Sequence, residues 1–389
     1  ATDAAGNLGP AATDSYVLDT TGPPVAITSS PATPDNDLNP SWSFSTEAGA
    51  DTACELRRSG VVVSDWTPCV SPEGYNLTGL PDGAYTFSVR ATDSVGNTGN
   101  PTSSGYTLDT TPPEVTITSE PAPFSSEQNP MWEFETEMGA MTECELSGPS
   151  GVLSPWVACT GSVVYDLSSE PDGLYTFSVR GTDSVGNPGS PLASSYTLDR
   201  SGPSASITSS PSSPGSSRSP AWSFTAEAGA TTECQLSGSV GILSLYAACS
   251  SPTGYDLTGQ ADGPYAFSVR ATDAAGNVGA PAGNTYTLDT TAPAAPAITS
   301  EPVSPGNDIT PEWSFTAESG ATTQCELRRG GVVVSAWGNC VSPAAYSVGS
   351  QPDGDYTFRV RATDAAGNTG AVQAGTYSLD TAAPVVVLG

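Results

Sequence analysis

A repeat of about 90 residues is the feature that most constrains the fold of this chain. The pentapeptide Tyr106–Thr110 recurs in closely related form, and its fourth residue, an Asp, falls at positions 19, 109, 199, 289 and 380. The steps between these positions are 90, 90, 90 and 91 residues. An interval of this length is the size of one small domain, and its regularity indicates that the domains share one architecture. The sequence therefore predicts a tandem array.

A second recurring block sets the phase of the repeat. The heptapeptide that begins at Ala91 recurs at Gly181, Ala271 and Ala362, and it also opens the chain at Ala1. The complete repeats are predicted to span residues 21–110, 111–200, 201–290 and 291–381. Residues 1–20 are predicted to be the tail end of a preceding repeat, carrying its last strands, and residues 382–389 the start of a following repeat.

Within each repeat, apolar residues alternate with polar ones, which is the pattern of half-buried antiparallel strands. The clearest run places Tyr85, Phe87 and Val89 on one face and Thr86 and Ser88 on the other. About seven such segments fit into one repeat, and no segment shows helical periodicity. The predicted fold is all-β, with four tandem immunoglobulin-like (fibronectin III-like) antiparallel β-sandwiches of about seven strands each.

Two sets of aromatic residues are predicted to be structural. Tyr85 follows the tight turn at Asp82 and Gly83, which is where a tyrosine corner places a phenol that bonds to nearby backbone, with ligand stacking as the alternative. A Trp that precedes the first Cys by twelve residues is predicted to lie in the core of each repeat: Trp42, Trp132, Trp222 and Trp313.

The eight cysteines fall into four pairs, each inside one repeat and each separated by fifteen positions. The pairs are Cys54/Cys69, Cys144/Cys159, Cys234/Cys249 and Cys325/Cys340. An even count at one pair per repeat is typical of disulfides formed in an oxidising compartment. A zinc site is not indicated, because no Cys-x-x-Cys pair is present. Each disulfide is expected to contribute about 3 kcal/mol by closing its loop.

A further aromatic residue lies three positions before the second Cys of each repeat, namely Trp66, Trp156, Tyr246 and Trp337. These rings are expected to be more exposed than the core Trp residues. Exposed rings of this kind can stack on sugars, so they are the place where a glycan platform is considered. The alternative is a ring packed over its disulfide.

The charge balance excludes several functions. The chain has 41 acidic residues against 11 basic ones, all of them Arg, and its net charge of −30 repels nucleic acid and anionic lipid. With no His and no Lys, the chain lacks the commonest general base and any Schiff-base nucleophile, so it is predicted not to be an enzyme. No apolar run is long enough to insert into a membrane within this segment.

Several motifs resemble those of a known class of repeats. They are Cys-x-Leu, Cys-x-Ser-Pro, Asp-Gly-x-Tyr-x-Phe-x-Val-Arg-Ala-Thr-Asp-x-x-Gly-Asn and Leu-Asp-Thr-Thr-x-Pro, which in the first repeat begin at Cys54, Cys69, Asp82 and Leu108. Together they resemble the Ig-like repeats of bacterial adhesins and giant surface proteins, over essentially the whole chain. The resemblance implies an extracellular location and a structural or adhesive role. The Cys pair departs from the commonest adhesin repeats, which mostly lack cysteine.

The acidic loops and linkers raise the question of calcium, the one cofactor considered. Carboxylates from two neighbouring repeats are expected to converge on the linker between them, and calcium takes six to eight oxygen ligands. The candidate ligands are Asp109, Asp183, Asn187, Asp199, Asp273, Asn277, Asp289, Asp364 and Asn368. The alternative is that Asp-x-x-Gly-Asn is an ordinary turn in which the Asp bonds its own backbone.

Two kinds of glycosylation are also considered. Asn76 lies in the one Asn-x-Ser/Thr sequon of the chain, Asn76-Leu77-Thr78. The Ser- and Pro-rich segment at residues 206–220 has the composition of an O-glycosylated stalk, and a merely polar loop is the alternative.

These observations predict a disulfide-stapled, rigid structural segment of an extracellular fibre, stalk or surface appendage. The alternative is an adhesin segment that binds a glycan or another cell surface, with junctions stiffened by calcium. The expected partners are neighbouring repeats of the same array or other copies of the chain, with glycans as a further candidate. Orphan strands at residues 1–20 and 385–388 either belong to a longer chain or complete a neighbouring copy by strand addition.

Overall fold

The structure is a computed structural model that describes residues 1–385. Strands β1 to β29 account for all of its regular structure, so the predicted all-β fold is confirmed. None of the described residues forms a helix that could cross a membrane. By its internal contacts the chain divides into two compact units, Ala1–Leu198 with the first two repeats and a second unit that begins at Asp199 and holds the other two.

The strands repeat with the period of the sequence. The first repeat contains β1 (Val25–Ser29), β2 (Ser41–Thr46), β3 (Asp51–Arg58), β4 (Val61–Pro68), β5 (Glu73–Gly74), β6 (Gly83–Thr92) and β7 (Thr102–Leu108). The second contains β8 (Val115–Ser119), β9 (Phe124–Ser125), β10 (Met131–Thr136), β11 (Met141–Gly148), β12 (Gly151–Cys159), β13 (Ser162–Val164), β14 (Gly173–Thr182) and β15 (Leu192–Leu198). The third contains β16 (Ala205–Ser209), β17 (Ala221–Ala226), β18 (Thr231–Gly238), β19 (Gly241–Ala248), β20 (Thr253–Gly254), β21 (Gly263–Thr272) and β22 (Ala282–Leu288). The fourth contains β23 (Ala297–Ser300), β24 (Glu312–Thr316), β25 (Thr322–Arg329), β26 (Val332–Asn339), β27 (Ala344–Ala345), β28 (Gly354–Thr363) and β29 (Gln373–Leu379).

Each repeat is a sandwich of two antiparallel sheets. In the first repeat the smaller sheet has the order β1-β2-β5 and the larger one the order β4-β3-β6-β7. The other repeats keep this order, and the second adds β9 as a parallel neighbour of β15. Three strands facing four in this sequence of neighbours is the arrangement of a fibronectin III-like sandwich. The larger sheet has one face on the core and one face toward solvent.

A separate hydrophobic core fills each repeat and is organised around one Trp. Trp42 is fully buried and stacks on Phe87 with ring centroids 4.8 Å apart. The equivalent Trp residues of the other repeats are equally buried, and their stacking distances are 4.8–5.0 Å. The core placement predicted for these four residues is therefore confirmed. Face-offset aromatic pairs of this kind add to the stability gained from burial alone.

The tyrosine corner is also present in every repeat. The hydroxyl of Tyr85 donates to the carbonyl oxygen of Pro81 at 2.7 Å, and the three equivalent bonds measure 2.6–2.8 Å. A second Tyr, the first residue of the recurring pentapeptide, lies on the last strand of each repeat. In the first repeat Tyr106 is buried and donates to the carbonyl oxygen of Asp37 at 2.5 Å. Both phenols satisfy loop carbonyls that lie at the edge of the core.

The prediction that residues 1–20 carry strands is wrong. This segment forms a single bridge between Thr2 and Leu8, and the side chains of Tyr16 and Val17 are 86% exposed. In the complete repeats the equivalent of this segment pairs with the preceding strand, as β7 does with β6. Of the other terminal segment, residues 382–385 form no strand, and residues 386–389 lie outside the described part of the chain.

Candidate functional site

The four cysteine pairs are disulfides in the structure, as predicted. Cys54 in β3 is joined to Cys69, which follows β4, with an S–S distance of 2.05 Å and a Cα–Cα distance of 5.8 Å. The other three pairs have the same Cα–Cα distance, and they join Cys144 to Cys159, Cys234 to Cys249 and Cys325 to Cys340. Each disulfide ties the outermost strand of the larger sheet to its neighbour.

In the third and fourth repeats the two cysteines of a pair differ in position and burial, which the sequence did not predict. The first Cys of every pair lies within a strand and is buried in the core. Cys249 and Cys340 instead lie outside any strand, directly after the last residues of β19 and β26, and each is half-buried at the edge of its core. Their backbone N–H groups donate to the carbonyl oxygens of Thr232 and Thr323 at 3.1 Å. The hydroxyls of the same two Thr residues donate back to the cysteine carbonyls at 2.7 and 2.6 Å. Hydrogen bonds therefore close the end of the hairpin that the disulfide joins.

The second recurring feature is the Asp-x-x-Gly-Asn loop, which forms a closed network. One oxygen of Asp93 accepts the backbone N–H groups of Val95 and Asn97 at 3.0 and 2.8 Å. Its other oxygen accepts the side-chain amide of Asn97 at 2.8 Å. Burial raises the pKa of Asp93, but the hydrogen bonds from Asn97, Val95 and Gly96 outweigh it and leave the pKa below its usual range. Gly96 has a φ of +93°, which the turn requires.

The Asn of this loop also reaches the linker that precedes its own repeat. Nδ2 of Asn187 donates to the carbonyl oxygen of Asp109 at 2.9 Å, while the same amide bonds the carboxylate of Asp183. We call the bond from this Asn to the linker carbonyl the junction bond. It recurs from Asn97 to Asp19, Asn277 to Asp199 and Asn368 to Asp289, at 2.8–3.0 Å. One amide thus ties the loop to itself and to the linker.

A Gly two positions after the Asn allows the linker to approach this closely. A Cβ added at Gly279 would overlap the carbonyl oxygen of Pro203, and one at Gly99 would overlap that of Pro23. A Cβ added at Gly370 would likewise overlap the carbonyl oxygen of Pro293. Sequence reasoning ended the motif at the Asn and missed this Gly. Its recurrence at one fixed offset was the available signal.

The calcium candidates occupy these same loops and linkers. The linker residue Asp109 contributes its backbone carbonyl to the junction, while its carboxylate accepts the N–H of Thr111 at 3.2 Å. Asp199 and Asp289 cap their own turns in the same way. The loop pairs Asp183/Asn187, Asp273/Asn277 and Asp364/Asn368 are each closed by a side-chain bond between the two residues.

This donor set does not fit a calcium ion. The carboxylate oxygens face N–H donors, whereas calcium needs six to eight oxygens directed at one point. Residues 1–385 contain no group of three or more acidic, His or Cys residues that could hold a metal ion. The loops are therefore described as turns held by hydrogen bonds, and no step of the proposed function depends on calcium.

The junction between the first two repeats carries an additional bond. Nδ2 of Asn36, in the first repeat, donates to Oδ1 of Asn187 in the second at 3.1 Å. Asp183 and Asn187 are only 4% and 7% exposed. Inside the Ala1–Leu198 unit, the loop of the second repeat is thus bonded to both the linker and the body of the first.

The aromatic residues considered as a glycan platform lie on the solvent face of each larger sheet. Trp66 is half-buried beneath the guanidinium of Arg90, whose Cζ lies 4.2 Å from the ring centroid. The equivalent stacks are Arg180 on Trp156, Arg270 on Tyr246 and Arg361 on Trp337, at 4.1–4.4 Å. The rings therefore carry a cation on one face, an arrangement that the sequence did not predict. Arginine prefers this stacked geometry, and the ring in turn holds the guanidinium in place.

The sequon residue Asn76 is exposed and has a structural role of its own. Its Oδ1 accepts the N–H of Thr78 at 2.9 Å, and Asp166 and Asp256 make the same bond in the next two repeats. In these three repeats the side-chain oxygen at this position closes a turn. Glycosylation of Asn76 stays a prediction.

Comparison with known proteins agrees with this architecture. Residues 73–131 match the family model of a bacterial Ig-like domain (group 3), and residues 323–381 match that of a bacterial Ig-like domain. The chain is a tandem array of Ig-like repeats, and two of its segments resemble bacterial Ig-like domains.

Individual relatives share only short segments with the chain. It is 38% identical over 116 residues to exoglucanase B of Cellulomonas fimi, which covers 28% of this chain and 10% of that protein. It is 32% identical over 115 residues to chitinase A1 of Niallia circulans, covering 28% of this chain and 16% of that protein. Among solved structures, a 1.5-MDa bacterial ice-binding adhesin has a TM-score of 0.30 at 17% identity, over 64% of this chain and 88% of the other. At that similarity the adhesin adds nothing to the argument.

Proposed function

We propose that this chain is a structural spacer of an extracellular surface protein, in which successive repeats are held at fixed angles. The observation that carries the proposal is the junction bond. It occurs in each of the four repeats and uses the same atoms each time. A hydrogen bond repeated at every linker favours a role in fixing the angle between repeats, because a ligand-binding site needs to occur only once in the chain.

The linker chemistry supports a stiff connection. In the first repeat the carboxylate of Asp82 accepts the backbone N–H of Thr110 and the hydroxyls of Thr110 and Thr111 at 2.6–3.0 Å. Pro residues follow directly at positions 112 and 113. The linker is thus bonded to the repeat before it and, through the junction bond to Asp109, to the repeat after it. The linker is fixed to both neighbouring repeats, and its Pro residues restrict its backbone angles. Such a linker limits the rotation of one repeat relative to the next.

The remaining features suit an extracellular module that is independent of any one activity. Four disulfides require an oxidising environment for their formation. The matches to exoglucanase B and chitinase A1 cover small fractions of two proteins with different names. Such a distribution favours a connecting role over catalysis by the repeats themselves.

Small-angle X-ray scattering of the full chain tests the proposal. In a triple variant, Asn187→Ala, Asn277→Ala and Asn368→Ala, the three junction bonds at the linkers between complete repeats are lost. We expect the scattering to give a shorter maximum interatomic distance and a broader distribution of distances. Asn76→Asp is the matched control, because its position carries Asp in two other repeats. A triple variant that is folded by circular dichroism and scatters like the unmodified chain would refute the spacer mechanism.

A further inference from the structure

The solvent face of the larger sheet differs in charge among the four repeats. In the first repeat Arg57 and Arg90 are balanced by Glu55 and Asp65. In the second and third, the single Arg of the stack is paired with a carboxylate, in the bridges Arg180–Glu143 and Arg270–Glu233, at 2.7 Å.

The fourth repeat breaks this balance. Its stack residue Arg361 lies opposite Gln324 and donates to that neutral amide oxygen at 2.8 and 3.1 Å. A second Arg, Arg359, occupies a position where the other repeats have Ser88, Ser178 and Ser268. Arg328 and Arg359 both pair with the carboxylate of Glu326, whereas Arg361 bonds only the neutral amide of Gln324, so these three guanidinium groups and one carboxylate leave a net charge of two positive units.

The two guanidinium groups on β28 are held side by side. Phe358 and Val360 are buried, so Arg359 and Arg361 point to the solvent face. Their Cζ atoms lie 5.4 and 4.4 Å from the ring centroid of Trp337. Arg359 donates to Glu326 at 2.7 Å through Nη1, and Arg361 donates to Gln324 through Nε and Nη2. Each guanidinium has five N–H groups, so both retain donors beyond these bonds.

We propose that this face of the fourth repeat binds an acidic sugar, with Arg359 and Arg361 holding its carboxylate. Paired guanidinium groups bind carboxylates through charge-assisted hydrogen bonds, and the Trp337 ring keeps them oriented. Thr357 and Thr376 lie opposite each other on the same face and offer hydroxyls to a sugar. The fold does not need Arg359, because three sibling repeats have Ser at that position.

The charge of the whole chain limits the size of the ligand. A net charge of −30 repels long polyanions, which would pass over many acidic side chains. The next acidic residue on the same strand face, Asp355, is four residues from Arg359, or about 13 Å along the strand. That exceeds the screening length of about 8 Å at physiological salt. A ligand short enough to carry its charge only at Arg359 and Arg361 therefore keeps that carboxylate beyond the reach of Asp355, whereas a longer polyanion does not.

Calorimetric titration of the full chain with trigalacturonic acid tests the site, and the fully methyl-esterified trisaccharide is the neutral probe. We expect the acid to bind and the ester not to bind. Arg359→Ser and Gln324→Glu each give the face a residue found in a sibling repeat, so both variants fold. Each variant is expected to weaken binding about tenfold. Arg359→Ser removes one charge-assisted contact to the ligand, and Gln324→Glu places a carboxylate opposite Arg361 that neutralises its charge.

The matched control is Arg200→Thr, which removes the same charge from a linker where the other repeats have Thr110, Thr290 and Thr381. It is expected to leave the affinity unchanged. The proposal is overturned if the acid fails to bind, if the ester binds as well as the acid, or if Arg200→Thr weakens binding as much as Arg359→Ser does. A phosphopeptide that binds more tightly than the sugar, with the same dependence on Arg359, would replace the sugar assignment.

Discussion

At the scale of single residues, the Asp of each Asp-x-x-Gly-Asn loop holds in place the Asn side chain that makes the junction bond. Asp183 is almost fully buried, yet four hydrogen bonds from Val185, Gly186 and Asn187 stabilise its ionised form more than burial disfavours it. Its pKa therefore lies below the usual value of 3.8. The side-chain amide of Asn187 can make its junction bond because the other hydrogen of that amide is held by this carboxylate.

We expect the junctions to loosen in acid. A carboxyl group whose pKa is lowered by folding contributes stability that is fully present above its unfolded pKa and is lost as the pH falls through its folded pKa. The junction bonds should thus be constant from pH 7 down to the usual carboxyl pKa of 3.8, and should fail only as the pH falls through the lower pKa that Asp183 has in the folded chain. The measurement is the NMR signal of the Asn187 side-chain amide as the pH is lowered. Asp183→Asn is the control, and a transition in that variant at the same pH would assign the effect to another group.

Sequence reasoning found the residues whose partners are close in the chain. Tyr85 was identifiable because its acceptor, Pro81, is four residues away and the turn between them has its own signature. Asn187 was noticed, but its acceptor on Asp109 lies 78 residues earlier. Nothing local distinguishes an amide that donates across a linker from a calcium ligand. That difference depends on how one domain packs on the next.

At the scale of strands, the disulfide stabilises the edge of the larger sheet. β4 has only β3 as a neighbour in its sheet, and its first residues, Val61 and Val62, are 70% and 45% exposed. An exposed apolar edge strand tends to fray or to pair with another chain. The Cys54–Cys69 bond holds the far end of this strand against β3.

Removing one disulfide should therefore release one strand. In a Cys54→Ser, Cys69→Ser variant, closure of a loop of 15 residues is lost, which is worth about 3 kcal/mol. Hydrogen exchange read by mass spectrometry is expected to show faster exchange in Val61–Pro68. The equivalent strand Val332–Asn339 keeps its own disulfide and is the internal control. Unchanged protection of Val61–Pro68 would show that sheet packing alone fixes this strand.

The sequence also shows where strand prediction reaches its limit. Tyr16–Thr20 and Tyr106–Thr110 are nearly the same pentapeptide, yet Tyr106 is buried in β7 and Tyr16 is exposed outside any strand. β-propensity expresses fit to a neighbouring strand more than a preference of the isolated segment. The repeat pattern assigns both segments to one motif, whereas strand formation by Tyr106 also depends on its pairing with β6.

At the scale of the whole chain, 41 acidic residues against 11 Arg make the array sensitive to cations without requiring a metal site. Any cation, by screening, weakens the repulsion among the excess carboxylates, and divalent ions do so more strongly than sodium. A rise in melting temperature on adding calcium is therefore ambiguous by itself. The hydrogen-bonded junctions predict that calcium acts only through this general effect.

Removal of metal separates the two explanations. After treatment with EDTA at constant ionic strength, we expect an unchanged melting temperature and an unchanged scattering profile, because the carboxylates of Asp183, Asp273 and Asp364 are already satisfied by N–H groups. Magnesium is the control ion, because it screens charge as calcium does but demands a stricter geometry. Stabilisation by calcium that magnesium does not reproduce, together with longer interatomic distances in scattering, would mean that calcium displaces the Asn amides and that the junctions are metal sites.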